Sequence, residues 1–394
     1  IIVMSHFDTS FFQSGGVNIF FVITGFFITK IISEKGVDFS IVDFYISRVN
    51  SLYPQLLFST ILIFNIYLIF GELEKLDYFF NSFLASISST MNLYLIGQEN
   101  VYSNQSYINL FLPLWAFSVI FQFYILYPIA LKLIFLLNKF VKLSSIRLFY
   151  ILIAATIFSY FSYIYFLDKG SEISNFYSPF SRLWQFLIGG ASYYLVKIYT
   201  PKKNLHLAYI GILLLVIWQF DFNQINFVCT TTIISFSAVL VILGSAWKNP
   251  EVVTIFSLRP LVQVGKISYP FYLWHMPLIY FLSLYFDEVI IVIFALVLGF
   301  FFALCQYWIN YKIVITPLSK IKHFKYTVFF ISISIALFAL NARNNHEFFS
   351  VNLKNISSFF EEINLQKSLE TDFQKKYSNY DRAIAKDANG DICE

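Results

Sequence analysis

"VNIFFVITGFFITKIIS", residues 17–33, decides the class of this chain. It holds one charge, Lys30, and its apolar residues follow no two-residue alternation. About 20 such residues, wound as a helix, cross the hydrocarbon core of a bilayer. Runs near that length recur at roughly 52–71, 113–137, 146–167, 180–199, 205–220, 227–246, 268–286, 289–315 and 325–342. Only 13% of the residues are charged and 58% are hydrophobic. A soluble domain carries about 25% charged residues, so this chain lacks the charge to cover a water-facing surface. The expected class is an all-α polytopic integral membrane protein. Upstream, "IIVMSH", residues 1–6, looks like the outer end of a truncated first span.

Loop charge orients the runs, because cytoplasmic loops favour Lys and Arg. Lys35 and Arg48 follow the first complete run; Lys139, Lys142 and Arg147 follow 113–137; Lys197, Lys202 and Lys203 follow 180–199. Lys248, Arg259 and Lys266 precede the run at 268, and Lys312, Lys320, Lys322 and Lys325 precede or open the last. The intervening loops are acidic or poor in base: Asp8, then Glu72, Glu74, Asp77 and Glu99 against Lys75, then Asp221, then Asp287 and Glu288. The alternation is regular only if the Ser-rich stretch 76–97 does not cross, lying instead as an amphipathic interfacial segment. The expectation is therefore about eleven crossings including the truncated first, with the chain upstream of Ile1 cytoplasmic. Residues 1–342 form the membrane domain, and 343–394 form a polar tail on the extracytoplasmic side.

Soluble-enzyme signatures such as GxGxxG, Walker A, HExxH and GxSxG are absent. The three cysteines, Cys229, Cys305 and Cys393, form no metal-spaced pair; the first two lie in apolar runs and read as core residues. No metal and no nucleic-acid partner is expected. Chemistry must come from polar groups within or beside spans, each of which costs about 2.5–3.5 kcal/mol at a helix centre if charged.

His6 precedes a polar turn, Ser14, Gly15, Gly16, and then Asn18. A neutral histidine can take a hydroxyl proton near physiological pH, or it can simply bond a neighbouring helix. Arg48 in "FYISRVNSLYP" (44–54) sits before a span expected to open near Pro54; it is an inner-edge anchor or a cation for donor phosphates. Ser118 and Gln122 in "PLWAFSVIFQFYILYP" (113–128) share a helical face and can bond across helices, alongside Trp115, Tyr124 and Tyr127. Arg182 opens "SRLWQFLIGGASYYL" (181–195) as an anchor or a site residue, and Gly189 and Gly190 permit close helix approach. His275 lies near mid-span in "VGKISYPFYLWHMPLIYF" (264–281), where Pro277 frees a backbone carbonyl near residue 273 and calls for a polar pocket.

These five stretches, in this order over about residues 1–320, resemble the acyltransferase-3 family of membrane O-acyltransferases. The resemblance implies transfer of an acyl group, usually acetyl, from cytosolic acyl-CoA to a hydroxyl of an extracytoplasmic glycan: lipopolysaccharide O-antigen, capsule, peptidoglycan or similar. It implies acetyl-CoA as donor substrate with no permanently bound cofactor, a glycan or lipid-linked glycan as acceptor, and contact with membrane lipid. The location implied is the bacterial inner (cytoplasmic) membrane. The tail 343–394 would lead to an SGNH-type domain outside this sequence.

Carried over residue by residue, His6 matches the family histidine and is the catalytic candidate, and Arg48 the donor-binding one. Asn18, Ser118, Gln122, Tyr124, Arg182 and His275 are cavity candidates, with Arg182 and His275 expected to line one cavity. The chain departs from the pattern at Asn18, where the family has Asp, at Ser51, where it has a second Arg, and at Ile120 and Phe121, where it has a Glu pair. The competing readings are a catalytically inactive member and a transporter or flippase of lipid-linked glycan. A transporter would show inverted repeats or paired broken helices; the sequence shows neither.

Overall fold

The computed structural model describes residues 15–71, 75–97, 109–141, 144–169, 172–199, 201, 206–217, 227–247, 250–284, 286, 288–310 and 324–344. Among the described residues every regular element is helical. In chain order these are α1 (Gly16–Lys35), α2 (Ile41–Phe70), α3 (Leu76–Ile87), α4 (Met91–Ile96), α5 (Leu114–Val141), α6 (Ser145–Lys169) and α7 (Glu172–Tyr177). There follow α8 (Pro179–Ile198), α9 (Leu207–Ile217), α10 (Phe227–Ala246), α11 (Pro250–Phe256), α12 (Arg259–Ser283), α13 (Glu288–Trp308) and α14 (Phe324–Asn344). Among the described residues six segments are long and apolar enough to cross a membrane: Gly16–Asp38, Ile41–Phe70, Leu114–Leu137, Ser145–Phe166, Val228–Ala246 and Ile291–Trp308. Helices α8 and α12 are long enough at 20 and 25 residues, but they carry buried Arg182, Gln185, Ser192 and His275 and are less apolar. The tail 345–394 lies outside the described residues.

Helix α1 packs along α8, α6 along the same helix, α12 along α13 and α9 along α10. The α1–α8 contact is backbone to backbone. A Cβ on Gly25 would overlap the carbonyl oxygen of Phe186, and one on Gly189 would overlap that of Val22. Small residues let membrane helices approach this closely, where packing rather than water drives association. Phe21, Phe186 and Phe123 then stack in sequence, with centroids 4.8 and 4.0 Å apart, joining α1, α8 and α5.

Pro54 does not open a span. It lies inside the 30-residue α2, which starts at Ile41 with Ser40 Oγ accepting from Asp43 N at 3.2 Å.

 Asp43 adds a favourable negative charge in that first turn. A cap at Ser40 outcompetes the proline as a start signal, and Pro54 is absorbed mid-helix. Cys229 is a second correction: it is exposed on α10 rather than in the core, because an apolar run in a membrane protein has a lipid-facing side.

Residues 76–97 fold back on themselves. Helix α3 runs antiparallel to α2: Tyr67 meets Phe79 at 4.1 Å, Phe64 stacks on Phe83 at 4.5 Å, and Tyr53 Oη donates to Ile87 O. From Tyr67 to Tyr53 is about 21 Å along α2 at 1.5 Å per residue. The chain then turns at Ser88–Thr90, with Ser89 at φ 55°. Helix α4 heads back, and Tyr94 lies 6.3 Å from Tyr78 near the start of α3. With 12 and 6 residues, neither helix is long enough to cross. The stretch expected to lie in the interface is thus a helical hairpin inserted among α2, α5 and α7.

Candidate active site

Non-helical backbone at membrane depth persists only where protein groups satisfy it. The hairpin tip meets that condition through α2 and α5. Ser118 Oγ accepts from Met91 N at 3.1 Å and so holds the first turn of α4. Gln122 and Asn92 form a reciprocal amide pair: Gln122 Nε2 donates to Asn92 Oδ1 at 2.9 Å, and Asn92 Nδ2 donates to Gln122 Oε1 at 3.3 Å. Gln122 also reaches Ser89 O at 3.4 Å, and Asn92 reaches Tyr177 O at 3.3 Å. The shared face of Ser118 and Gln122 is therefore the face that receives the hairpin.

Asn18 joins a second network across α1, α8 and α10. Gln185 Nε2 donates to Asn18 Oδ1 at 3.0 Å and to Ser235 Oγ at 3.2 Å. Gln185 and Ser235 are fully buried. A neutral amide at position 18 suits this setting, because an isolated carboxylate buried without a cation is strongly disfavoured. One turn earlier on α8, Arg182 is 1% exposed. Its Nε and Nη2 both donate to Phe176 O, at 2.9 and 2.8 Å, and its guanidinium carbon lies 4.7 Å from the Phe176 ring centroid and 5.6 Å from that of Trp115. Arg182 fixes α7 against α5 and α8.

Between α1, α5 and α12 lies a cavity of about 80 Å³. Phe20, Ile120, Tyr269 and Tyr272 contribute to its walls. At the family's Glu-pair position, this wall is therefore apolar. His275 stands beside it on α12, fully buried, with Nδ1 2.7 Å from Tyr272 O, and Tyr272 Oη donates to Pro113 O. Neither Arg182 nor His275 is among the residues lining this cavity. Their described surroundings are separate: aromatic rings and α7 for Arg182, the Tyr272 turn for His275.

On α2, Arg48 stacks on two rings, its guanidinium carbon 5.2 Å from the Phe44 centroid and 5.7 Å from that of Tyr124. Such cation–π contacts contribute about 0.5–2 kcal/mol depending on desolvation. Arg48 Nε is buried and has no hydrogen-bond acceptor among the described residues. Tyr124 also hydrogen-bonds Thr24 of α1. Lys132 of α5 donates to Val37 O and Phe39 O, tying down the turn between α1 and α2. Ser51, one turn beyond Arg48, is exposed. The catalytic candidate His6 lies outside the described residues.

Sequence reading missed several polar partners. Gln185 stood in the quoted "RLWQFLIGG", at i+3 from Arg182, and its neutral side chain drew no notice. Asn92 was hidden in a stretch assigned to the interface. Gln306 accepts from Trp274 Nε1 and donates to Gln55 O at 2.9 Å, linking α13, α12 and α2. The available signal was a polar amide within an apolar run. Among the described residues no group of three His, Cys, Asp or Glu side chains could hold a metal ion.

Known proteins are similar to this chain over most of its length. The O-acetyltransferase OatA of Staphylococcus aureus (strain NCTC 8325 / PS 47) is 27% identical over 341 residues, covering 82% of this chain and 56% of its own length. The peptidoglycan O-acetyltransferase OatA of Listeria monocytogenes is 28% identical over 301 residues, covering 71% of this chain and 47% of its own. The chain thus spans about half the length of these curated relatives. No solved structure matches significantly. The family model described as "Acyltransferase domain" matches residues 1–310, which contain all five stretches and every polar network described above. The chain belongs to the acyltransferase-3 family.

Proposed function

We propose that this chain is the membrane part of an O-acyltransferase that moves an acetyl group from cytosolic acetyl-CoA to a glycan hydroxyl outside the membrane. Peptidoglycan is the favoured acceptor class, supported by the likeness to the Listeria peptidoglycan O-acetyltransferase. The observation that carries the reading is the match of the family to residues 1–310, with Arg48 presenting a buried Nε that lacks an acceptor among the described residues. A guanidinium held by two rings is oriented for phosphate oxygens, which it can bind through paired donors. His6 is the general base. Its neutral ring nitrogen takes the acceptor hydroxyl proton as that oxygen attacks the thioester carbonyl. The new C–O ester forms, the C–S bond breaks, and the proton passes from the imidazolium to the departing CoA thiolate. Holding both substrates in one chamber makes the attack effectively unimolecular.

Asn18, Ser118, Gln122, Tyr124, Arg182 and His275 shape that chamber in this reading. The first four do so through the interhelical contacts above, Arg182 through α7, and His275 through the Tyr272 turn. Neutral Asn18, Ile120 and Phe121 leave His6 as the proton acceptor with no carboxylate from those positions beside it. The proposed topology has eleven crossings in a bacterial cytoplasmic membrane, with the basic loops inside. The folding back of 76–97 supports it, because entry and exit on one side preserve the alternation of loop charge. Residues 343–394 are then an extracytoplasmic linker. The test is full-length purified protein with labelled acetyl-CoA and glycan fragments. Glycan-dependent release of CoA with label on the glycan is the expected result; folded protein that releases no CoA would overturn the reading.

A further inference from the structure

Between α6 and α8, beside α7, lies a cavity of about 710 Å³ that the acyl-transfer reading does not use. Its lining has two characters. Phe158, Phe166 and Phe180 are 76%, 55% and 75% exposed, and Phe158 and Phe166 belong to a helix apolar enough to cross a membrane. On that side the cavity is continuous with the surface α6 turns to the bilayer. The deeper wall is polar: Ser159, Asn175 and Ser181 are all at least nine-tenths buried.

Asn175 is the decisive residue. Its Oδ1 accepts from Ser181 Oγ at 2.8 Å, which fixes the amide. Its Nδ2 is buried and has no hydrogen-bond acceptor among the described residues. A buried donor left without a partner is destabilising, and the apolar side of the cavity offers it none. The ligand that suits this lining has an apolar chain for the phenylalanine side and an oxygen acceptor for the amide.

We propose that this cavity is a lipid site. The occupant is a bilayer phospholipid, its acyl chain along Phe158, Phe166 and Leu187 and an ester or phosphate oxygen at the polar wall, where a small shift of the lining opens Asn175 Nδ2, closed off in this structure, as its donor. The assignment does not rest on acyl transfer. Helix α7 separates the site from the amide pair: Asn175 faces the cavity, while Tyr177 O accepts from Asn92.

The test reconstitutes the full-length protein in nanodiscs containing phosphatidylglycerol with a diazirine on the acyl chain, irradiates it and maps adducts by mass spectrometry. Adducts on Phe158, Ser159 and Leu187 should exceed severalfold those on Val297 and Phe301 of α13, which are 61% and 57% exposed. Ser159→Trp should suppress the excess, and so should Ser162→Trp at the outer edge, which guards against misfolding of the first variant. Lipid retained through detergent exchange, read by native mass spectrometry, should fall severalfold in Asn175→Leu and be kept in Asn175→Gln. Adducts no denser than on α13, adducts insensitive to both tryptophans in folded protein, or unchanged retention in Asn175→Leu would each overturn the proposal.

Discussion

The Asn92–Gln122 pair allows a quantitative test of how the hairpin is held. Gln122→Leu removes the donor to Asn92 Oδ1 at 2.9 Å and to Ser89 O at 3.4 Å, and the acceptor for Asn92 Nδ2. Asn92→Leu strips Gln122 of the same partner and removes the amide that donates to Tyr177 O. Gln122→Leu leaves the buried Asn92 amide half-satisfied and Asn92→Leu leaves the half-buried Gln122 amide so, a cost of up to about 1–3 kcal/mol. Side-chain bonds between membrane helices average about 0.6 kcal/mol and reach about 1.7 kcal/mol, so the lower half of that range is expected. The double variant removes both amides together and leaves only the backbone carbonyls of Ser89 and Tyr177 exposed to the loss. Its destabilisation should fall short of the sum of the singles by about 1 kcal/mol. Reversible unfolding in mixed micelles measures all four proteins. Additivity within about 0.3 kcal/mol would refute the view that this pair anchors the hairpin.

Other consequences concern packing, topology and the donor. Gly25→Leu or Gly189→Leu should separate α1 from α8 and lower the thermal midpoint, with an overpacking cost of at least about 1–3 kcal/mol; Gly36→Ala meets no atom within 4 Å, so its cost of about 1–3 kcal/mol comes from backbone strain at φ 54° alone. Unchanged midpoints in both leucine variants would contradict the close contact. In a background without the three native cysteines, Lys75→Cys and Gly97→Cys should both react with an impermeant thiol reagent added from outside, and labelling from opposite sides would mean that 76–97 crosses. Arg48→Ala should raise KM for acetyl-CoA about tenfold or more, and Arg48→Lys should recover it only in part, since an ammonium lacks the planar fork. An unaltered KM in Arg48→Ala would remove it from the donor site.

Much of the architecture was legible because bilayer crossing leaves a coarse signal. The apolar runs at 17–33, 52–71, 113–137 and 146–167 correspond to α1, α2, α5 and α6. Loop charge also isolated 76–97 as the stretch that breaks the alternation. The fold-back itself was not legible, because it depends on Tyr53, Ser118 and Gln122 reaching backbone atoms far away in sequence. Start signals were misjudged at Pro54, where the Ser40 cap sets the beginning of α2. In the candidate site, charged and aromatic residues drew attention, whereas Asn92, Gln185 and Gln306 did not. A single neutral amide in an apolar run carries no periodic pattern; its partner is visible only once helices are placed side by side.

The central claim is acyl transfer with His6 as general base, and it is tested most directly in cells lacking their own glycan O-acetyltransferase. These receive the full-length protein or its His6→Ala variant, and base-labile acetate released from purified peptidoglycan is measured at matched membrane levels. The account predicts restored acetate with the wild type and background acetate with His6→Ala. Full restoration by His6→Ala would contradict it.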